Sequence, residues 1–314
     1  MKPVLFLIFN RPDTTQKVFD EIRKAKPEKL YIAADAPRTE NEKTICLQTR
    51  AIIDQVNWNC EVKTLFRENN LGCQKAVSSA IDWFFKHEEM GIILEDDCVP
   101  SSSFFSFCSE LLDRYKKDSR IMMISGNNFQ DGQWHGNGSY YFSRTLKISG
   151  WATWQRAWNL IDLEMDQIKD FRESSVIDEI FTDENVALAW RLAFAYTRFK
   201  TVNSWAYPWI YTLFVQNGLS ITPNKNLVTN IGFGANSTHT TNIHSKFANV
   251  PTEELNNLIH PSSVYLNKTA DQYEYRALNY YPMKKKMNLK YRWKRMRRTR
   301  RFQIKINALY KHSI

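Results

Sequence analysis

Short apolar runs alternate with helical segments along the first 125 residues, and this alternation limits the folds open to the chain. The apolar runs predict five strands, at residues 3–10, 30–34, 61–66, 90–94 and 120–125. The segments between them predict four helices, at residues 13–24, 41–56, 73–86 and 103–115. Such alternation is typical of a parallel sheet covered by helices. We therefore predict an α/β fold with a mostly parallel sheet and helices on both faces.

Polar residues follow four of the predicted strands. They are Asn10 and Arg11, then Asp35, then the segment from Arg67 through Asn70 to Gly72, and finally Glu95, Asp96 and Asp97. In a sheet of this kind, the loops at the carboxyl ends of the strands form the ligand crevice. We therefore expect these four loops to form a binding site.

The acidic triplet Glu95-Asp96-Asp97 ends a buried apolar strand. Three adjacent carboxylates repel one another and lose solvation there, which is costly unless a cation or hydrogen bonds neutralise them. Mg²⁺ or Mn²⁺ is a suitable partner, because such ions take one or two protein carboxylates and complete their shell with phosphate oxygens and water. The alternative is that Glu95 and Asp97 cap the next helix. The position at a strand end favours the metal.

The composition excludes several classes of protein. An aromatic content of 14% and ten tryptophans exclude disorder for most of the chain. The longest apolar runs fall far short of the roughly 20 residues that a membrane-spanning helix needs, so we expect none. The five cysteines are scattered and form no C-x-x-C pair, which favours reduced thiols in a cytoplasmic protein.

The basic charge of the chain is concentrated at its end. Of the 43 Lys and Arg residues, 13 lie from Lys284 onward, where no acidic residue occurs. Aromatic and aliphatic residues alternate with these cations, a pattern that fits an amphipathic helix on an anionic membrane surface. Nucleic acid is the alternative partner, since the same cations would neutralise phosphates. We favour the membrane and predict a peripheral protein on its inner face.

Several motifs resemble a known family. The segments 70–85 and 92–97, followed by 149–154, 218–221 and 226–234, resemble bacterial glycosyltransferases of the GT-A, Rossmann-like, nucleotide-diphospho-sugar transferase type. The Glu-Asp-Asp sequence is similar to the metal-binding motif of N-acetylglucosaminyltransferase I. The resemblance covers about residues 3 to 245. It implies a sugar nucleotide, with UDP the commonest nucleotide, bound across the carboxyl edge of the sheet.

The resemblance also implies roles for single residues. The residues that would contact the donor are Asn10 and Arg11 at the nucleoside, Asp35 at the base or ribose, Arg67 with Asn70 and Gly72 beside the nucleotide, and Glu95 at the sugar. Asp96 is also assigned to donor binding. Asp97 would hold Mn²⁺ or Mg²⁺, and His239 would complete the metal shell. For Arg67, a surface ion pair with Glu68 or Glu61 is the alternative. For His239, the alternative is a solvated loop position.

The expected general base is missing. Inverting transfer to a hydroxyl needs a base, and the family that this chain resembles usually has an aspartate where this chain has Ala206. We favour the interpretation that Asp was replaced by Ala at this position to trap a substrate complex. Alternatively another acid serves, and Asp183 and Glu184 are candidates, although both are also typical of a helix start. A third possibility is that the resemblance fails here.

We therefore predict a metal-dependent, inverting glycosyltransferase that acts on a cell-surface glycan or a lipid-linked precursor. Residues 1–126 would bind the sugar nucleotide, residues 127–250 would bind the acceptor and carry the base, residues 251–283 would connect, and residues 284–314 would associate with the membrane. Two alternatives remain, a nucleic-acid-binding protein that uses the basic tail and a non-catalytic scaffold that binds sugar nucleotides. A nucleotidyltransferase is disfavoured, because no glycine-rich basic loop follows the first strand.

Overall fold

A computed structural model of the chain describes residues 1–166, 176–181, 183–199, 202–234 and 245–277, together with residues 300, 301, 304 and 308. The strands in this part of the chain are β1 (Val4–Ile8), β2 (Lys29–Ala34), β3 (Glu61–Phe66), β4 (Met90–Glu95), β5 (Cys98–Pro100), β6 (Ile121–Ser125), β7 (Tyr140–Ser143), β8 (Trp151–Trp154), β9 (Leu219–Pro223) and β10 (Val228–Asn230). The helices are α1 (Pro12–Ala25), α2 (Lys43–Ala51), α3 (Gly72–Phe85), α4 (Ser102–Arg114), α5 (Gln155–Trp158), α6 (Val176–Ile180), α7 (Glu184–Arg198), α8 (Ala206–Val215) and α9 (Lys268–Ala277).

Eight of the strands form one sheet, in the order β3-β2-β1-β4-β8-β6-β9-β7. β1 pairs in parallel with β2 and β4, β2 pairs in parallel with β3, and β6 pairs in parallel with β9. β8 runs antiparallel to both β4 and β6, and β7 runs antiparallel to β9. Six strands therefore point the same way, and their carboxyl ends meet at one edge. The predicted α/β class with a mostly parallel sheet and flanking helices is confirmed.

The five predicted strands correspond to β1, β2, β3, β4 and β6. β1 is buried at every residue, and β6 is too, as expected of strands with helices packed against the sheet. The predicted helix at 41–56 is shorter than expected. A 3₁₀ helix occupies Glu40–Glu42, α2 ends at Ala51, and a second 3₁₀ helix occupies Ile52–Gln55. The β-branched pair Ile52 and Ile53 disfavours a longer α-helix.

A second, two-stranded sheet lies beside the end of β4. β10 pairs antiparallel with β5, with Val228 opposite Pro100 and Asn230 opposite Cys98. This pairing brings a segment from late in the chain next to the acidic triplet, which directly precedes β5. The sequence did not predict either strand, since each has only three residues and a local pattern that short is not distinctive.

The described residues divide into two compact units. The first consists of Met1–Leu160 and Leu219–Asn267, and the second consists of the described residues within Ile161–Gly218 and Lys268–Ile314. The first unit contains both sheets, and its core includes Phe6, Phe19, Phe104 and Trp154. The second has a core of its own in which Phe181 packs edge-on against Phe214 and Tyr275. This division differs from the predicted donor and acceptor halves, which were defined by function and stay predictions.

Most of the predicted basic tail, residues 284–314, lies outside the described residues. Its predicted amphipathic helix therefore stays a prediction. In the part of the chain that the structure describes, there is no helix long and apolar enough to cross a membrane.

Candidate active site

The acidic triplet lies at the carboxyl end of β4, in the first unit. Glu95 is the last residue of β4, and Asp96 and Asp97 form the turn between β4 and β5. Asp96 is only 3% exposed, whereas the side chain of Asp97 is 14% exposed. Glu95 belongs to β4, and β5 separates Asp97 from the next helix, α4, which begins at Ser102, so neither acid caps that helix.

Arg11 neutralises part of this charge. It lies between β1 and α1, and its guanidinium donates from Nη1 to Asp97 Oδ2 at 3.0 Å and from Nη2 to Asp96 Oδ1. The backbone N–H of Phe9 donates to the other oxygen of Asp96 at 3.2 Å. The parallel pairing of β1 with β4 explains this contact, because it places the carboxyl ends of the two strands side by side. The structure thus brings together two of the predicted loops.

Burial and like charge perturb the acids. Burial, together with the charges of Asp97 and Asp96, raises the pKa of Glu95 to about 8. Burial also raises the pKa of Asp96 to about 6, although Arg11 opposes the shift. Burial disfavours the charge on Arg11, but the two aspartates outweigh this effect and raise its pKa above the ordinary arginine value. These groups therefore retain an excess of negative charge that Arg11 alone does not balance.

The segment that contains β10 holds Asp97 in place. Asn230 donates from Nδ2 to Asp97 Oδ1 at 3.4 Å and to Ser149 Oγ at 3.3 Å. The backbone N–H of Ile231 donates to the carbonyl oxygen of Asp97 at 2.9 Å. A Cβ added to Gly232 would lie 2.0 Å from Asp97 Oδ2, so only glycine allows this approach. Sequence reasoning assigned no role to Asn230 or Gly232, although both lie in a motif that carries the family resemblance.

The loops after β2 and β3 are joined through Asp35. Its carboxylate accepts the backbone N–H groups of Leu71, at 2.9 Å from Oδ1, and of Gly72, at 3.0 Å from Oδ2. It also accepts the N–H of Ala36 at 2.9 Å. Asn70 donates from Nδ2 to the carbonyl oxygen of Ala36 at 2.6 Å. Asp35 thus satisfies free N–H groups at the start of α3. Its contact with the base or ribose stays a prediction.

A second connection between the same loops comes from Arg50. Its Nη2 donates to the carbonyl oxygens of Asp35 at 3.0 Å and of Arg67 at 3.1 Å. The Arg67 side chain itself donates to Ser79 Oγ at 2.7 Å, and the structure records no ion pair with Glu68 or Glu61, both of which it describes. The sequence did not single out Arg50, because nothing in its local pattern distinguishes it from a surface arginine of a helix.

Two further observations connect the loops to one another. Asn10 donates from Nδ2 to Glu42 Oε1 at 3.2 Å, so the loop after β1 contacts the segment after β2. Burial raises the pKa of the Cys73 thiol to about 12, and the charges of Glu95 and Asp35 add to the shift. Cys73, at the start of α3, is therefore close enough to both Glu95 and Asp35 for their negative charges to act on its thiol. All four predicted loops converge at the carboxyl edge of the sheet.

The candidate bases lie in the second unit. α7 begins at Glu184, and the carbonyl oxygen of Asp183 accepts the N–H of Ala187 at 3.1 Å, so the helix starts where the sequence indicated. Ala206 is the first residue of α8 and its N–H donates to Ser204 Oγ at 3.2 Å. A catalytic role for any of these positions stays a prediction. His239 lies outside the described residues.

The donor set at Asp97 fits a single divalent cation that takes few ligands from the protein. Carboxylate oxygens are hard ligands of the kind that Mg²⁺ and Mn²⁺ prefer, and Arg11 brings a single positive charge to the two aspartates that it bonds. Among the described residues, no three His, Cys, Asp or Glu side chains are grouped so that they could hold an ion. A metal site at Asp97, the more exposed of the two aspartates, stays a prediction.

No protein-family model matches the sequence, and no curated protein matches it. Mouse xyloside xylosyltransferase 1, in its apo form, is 9% identical, with a TM-score of 0.33 and coverage of 68% of this chain and 80% of that chain. The glycosyltransferase GlyE of Streptococcus pneumoniae TIGR4 is 13% identical, with a TM-score of 0.31 and coverage of 59% and 44%. UDP-glucose pyrophosphorylase complexed with UDP-glucose is 11% identical, with a TM-score of 0.32 and coverage of 51% and 79%. At these identities and TM-scores, the similarity assigns neither family nor substrate to this chain.

Proposed function

We propose that this protein is a metal-dependent, inverting glycosyltransferase that uses a nucleotide-diphospho-sugar donor. The observation that carries the proposal is the acidic triplet at the end of β4, paired with Arg11 from the end of β1 and held by Asn230. A fold with a mostly parallel sheet binds its ligands at the carboxyl ends of the strands, and the carboxylate cluster lies there.

In this proposal, each loop of the edge has its own task. Arg11 and Asn10 border the nucleoside diphosphate, and Asp35 keeps the turn before α3 in the shape that receives the nucleotide. The carboxylate of Glu95, for which the structure records no hydrogen bond from the described residues, is left available to the donor sugar. Asp97 would hold Mn²⁺ or Mg²⁺, whose Lewis acidity withdraws charge from a departing nucleoside diphosphate.

The structure of the first loop favours transfer of a sugar over synthesis of a sugar nucleotide. Only Phe9, Asn10 and Arg11 separate β1 from α1. A connection of three residues without glycine offers no cradle of backbone N–H groups for a triphosphate. The acceptor that we propose is a cell-surface glycan or its lipid-linked precursor, which the protein would meet at the inner face of the membrane through its basic tail.

A thermal-shift screen of sugar nucleotides, with and without Mn²⁺, tests the proposal. A ligand that binds only the folded state raises the melting temperature, so the correct donor should do so in the presence of the cation. If no sugar nucleotide stabilises the protein with either Mn²⁺ or Mg²⁺, the proposed function is wrong.

Calorimetry then assigns the metal to Asp97. Asp97→Ala should weaken the binding of UDP in the presence of Mn²⁺ at least tenfold, about 1.4 kcal/mol. Asp113→Ala is the matched control, because Asp113 forms an ion pair with Lys2 at the surface of α4 and its loss should leave UDP binding unchanged. Equal affinities of the two variants for UDP would remove Asp97 from the metal site.

A further inference from the structure

Arg11 bonds two carboxylates, which differ in their burial and in their other hydrogen bonds. The Asp96 side chain is buried, and its second oxygen accepts the N–H of Phe9. Asp97 is more exposed, and its Oδ2, which Arg11 contacts at 3.0 Å, is the oxygen that Asn230 and Cys98 leave to other partners. The bond between Arg11 and Asp96 is therefore the permanent one, and the bond to Asp97 is the one that a ligand can replace.

We propose that Arg11 is the resident counter-ion of Asp97 and that it exchanges this carboxylate for the donor's diphosphate when a divalent cation binds. The proposal rests on the proposed function, since it concerns the same site. Arg11 and the cation compete for Asp97 Oδ2 because two positive groups at one oxygen repel each other. Arg11 does not leave the site, because Asp96 still holds its other nitrogen.

The chemistry of the Arg11 guanidinium makes a diphosphate a suitable second partner. Once Nη1 leaves Asp97, it is a charged donor that needs an anionic acceptor in a site that is partly shielded from water. Arginine matches phosphate oxygens well, because its N–H groups form a planar fork with fixed directions. The side chain is 24% exposed, so a ligand at the sheet edge can reach it. Asp96 thereby acts as a positioning residue that keeps this fork aimed at the donor.

The test measures Mn²⁺ alone and UDP separately, by calorimetry on the full chain. Arg11→Gln removes the competitor and should bind Mn²⁺ at least threefold more tightly than the wild type. The same variant should bind UDP in the presence of Mn²⁺ at least tenfold more weakly. Arg120→Gln is the matched control, because Arg120 forms a comparable pair with Asp118 at an exposed position and should change neither affinity.

A double variant locates the competition. In an Asp97→Asn background, Arg11→Gln should no longer strengthen Mn²⁺ binding, because the contested oxygen has lost its charge. Arg11→Lys keeps the positive charge without the planar fork, so it should retain wild-type affinity for Mn²⁺ and still lose affinity for UDP. If Arg11→Gln binds Mn²⁺ no better than the wild type, or if its gain persists without Asp97, the proposal is overturned.

A measurement on the unaltered protein covers the case in which Arg11→Gln does not fold. In nitrogen-detected NMR with ¹⁵N-labelled arginine, the Arg11 guanidinium signal, assigned with Arg11→Lys, should shift on addition of Mg²⁺ and shift again on addition of UDP. No change with Mg²⁺ would contradict the exchange. A wild type that binds no nucleotide with any cation would instead reject the proposed function, and the titration with Mg²⁺ alone would still decide the role of Arg11.

Discussion

Gly232 is the residue whose identity the site constrains most directly. Its backbone lies against the carboxylate of Asp97, and a methyl group there would meet Oδ2 at 2.0 Å and Cγ at 2.6 Å. Asp97 could move away only by disturbing the hydrogen bonds that Ile231 donates to its carbonyl oxygen and Asn230 donates to its Oδ1. A residue remote in sequence therefore sets the orientation of the proposed metal ligand.

We expect Gly232→Ala to displace the Asp97 carboxylate and to weaken cation-dependent UDP binding at least tenfold. Overpacking of this kind also costs about 1 to 3 kcal/mol of stability. Gly132→Ala is the control, since a Cβ there meets no atom within 4 Å but the residue has a φ of 81°. It should lower the melting temperature through backbone strain alone and leave UDP binding intact. Calorimetry and thermal melts compare the two.

Ala206 gives a second prediction at this scale. If the proposed base belongs at this position, Ala206→Asp should raise sugar transfer to a cell-derived acceptor fraction by a factor of about 10² to 10⁴. Nucleotide affinity should change little, since a base acts on the acceptor hydroxyl. The fold should tolerate the acid, because Ala206 begins α8 and a carboxylate in a first helical turn is favourable.

Ala206→Asn is the matched control for this prediction. It has nearly the size and polarity of aspartate but cannot accept the proton, so transfer should remain at the level of the alanine form. If Ala206→Asp is no more active than Ala206→Asn, the base lies elsewhere. Glu184 and Asp183 are then the next positions to change.

At the scale of elements, short connections late in the fold complete the carboxyl edge that the first four strands begin. β10 reaches the triplet through its pairing with β5. The loop between β6 and β7 starts at the same edge, because β8 is antiparallel to both β4 and β6 and these two strands therefore point the same way. Within this loop, Asn127 donates to the carbonyl oxygen of Val228 at 2.8 Å, which connects the loop to β10.

His135 makes the stability of that loop depend on pH. It is 7% exposed, and its Nε2 lies 2.9 Å from Gln130 Oε1. Burial lowers its pKa below the ordinary value of 6.5. As the pH falls, His135 is therefore protonated more readily in the unfolded chain than in the folded protein. The free energy of unfolding decreases as the pH falls below about 6.5. Above that pH the contribution to stability is fully present.

We expect His135→Gln to reduce this acid sensitivity. The slope that His135 contributes is at most about 1.4 kcal/mol per pH unit, and it should disappear from urea titrations of the variant between pH 7 and pH 5. His87→Gln is the control, because His87 is exposed and lies outside this loop. This variant should keep the wild-type slope. An identical pH dependence of wild type and His135→Gln would contradict the argument.

At the scale of the whole molecule, the positive charge is concentrated at the end of the sequence. The residues before Lys284 contain 30 basic and 33 acidic side chains, so the body is nearly neutral and the end supplies the net charge of +10. Both described units have hydrophobic cores formed before that point. We therefore expect the cores to form without the basic segment, and this separation of charge from fold would leave the segment free to serve a partner.

Truncation after Tyr281 tests that separation. The shortened protein should no longer sediment with vesicles that contain phosphatidylserine, because each cation near an anionic surface contributes about 1 kcal/mol. Its melting temperature should stay within a few degrees of the full chain. Vesicles of phosphatidylcholine alone, and an oligonucleotide, are the comparisons. Undiminished sedimentation would show that the tail is not the anchor, and preferential loss of oligonucleotide binding would favour nucleic acid as its partner.

The order of strands and helices in the first 125 residues could be predicted from sequence because it depends on local patterns. Each buried strand is a continuous apolar run between polar loops, and burial on both faces requires such a run. The convergence of Asn10, Arg11, Asp35 and the triplet followed in turn from one rule, that parallel strands end at a common edge. The predicted 41–56 helix was too long, because helix ends depend on weak local preferences that packing overrides.

The acidic triplet and its position at a strand end were determined by the sequence alone, since adjacent residues and a buried run define them. Only the tertiary structure decided which cation faces these acids and what holds them. Arg11 reaches Asp96 and Asp97 across 85 and 86 positions, and Asn230 reaches Asp97 across 133. Contacts of such separation arise from the pairing of β1 with β4 and of β5 with β10, and no local pattern in the chain encodes which strands will pair.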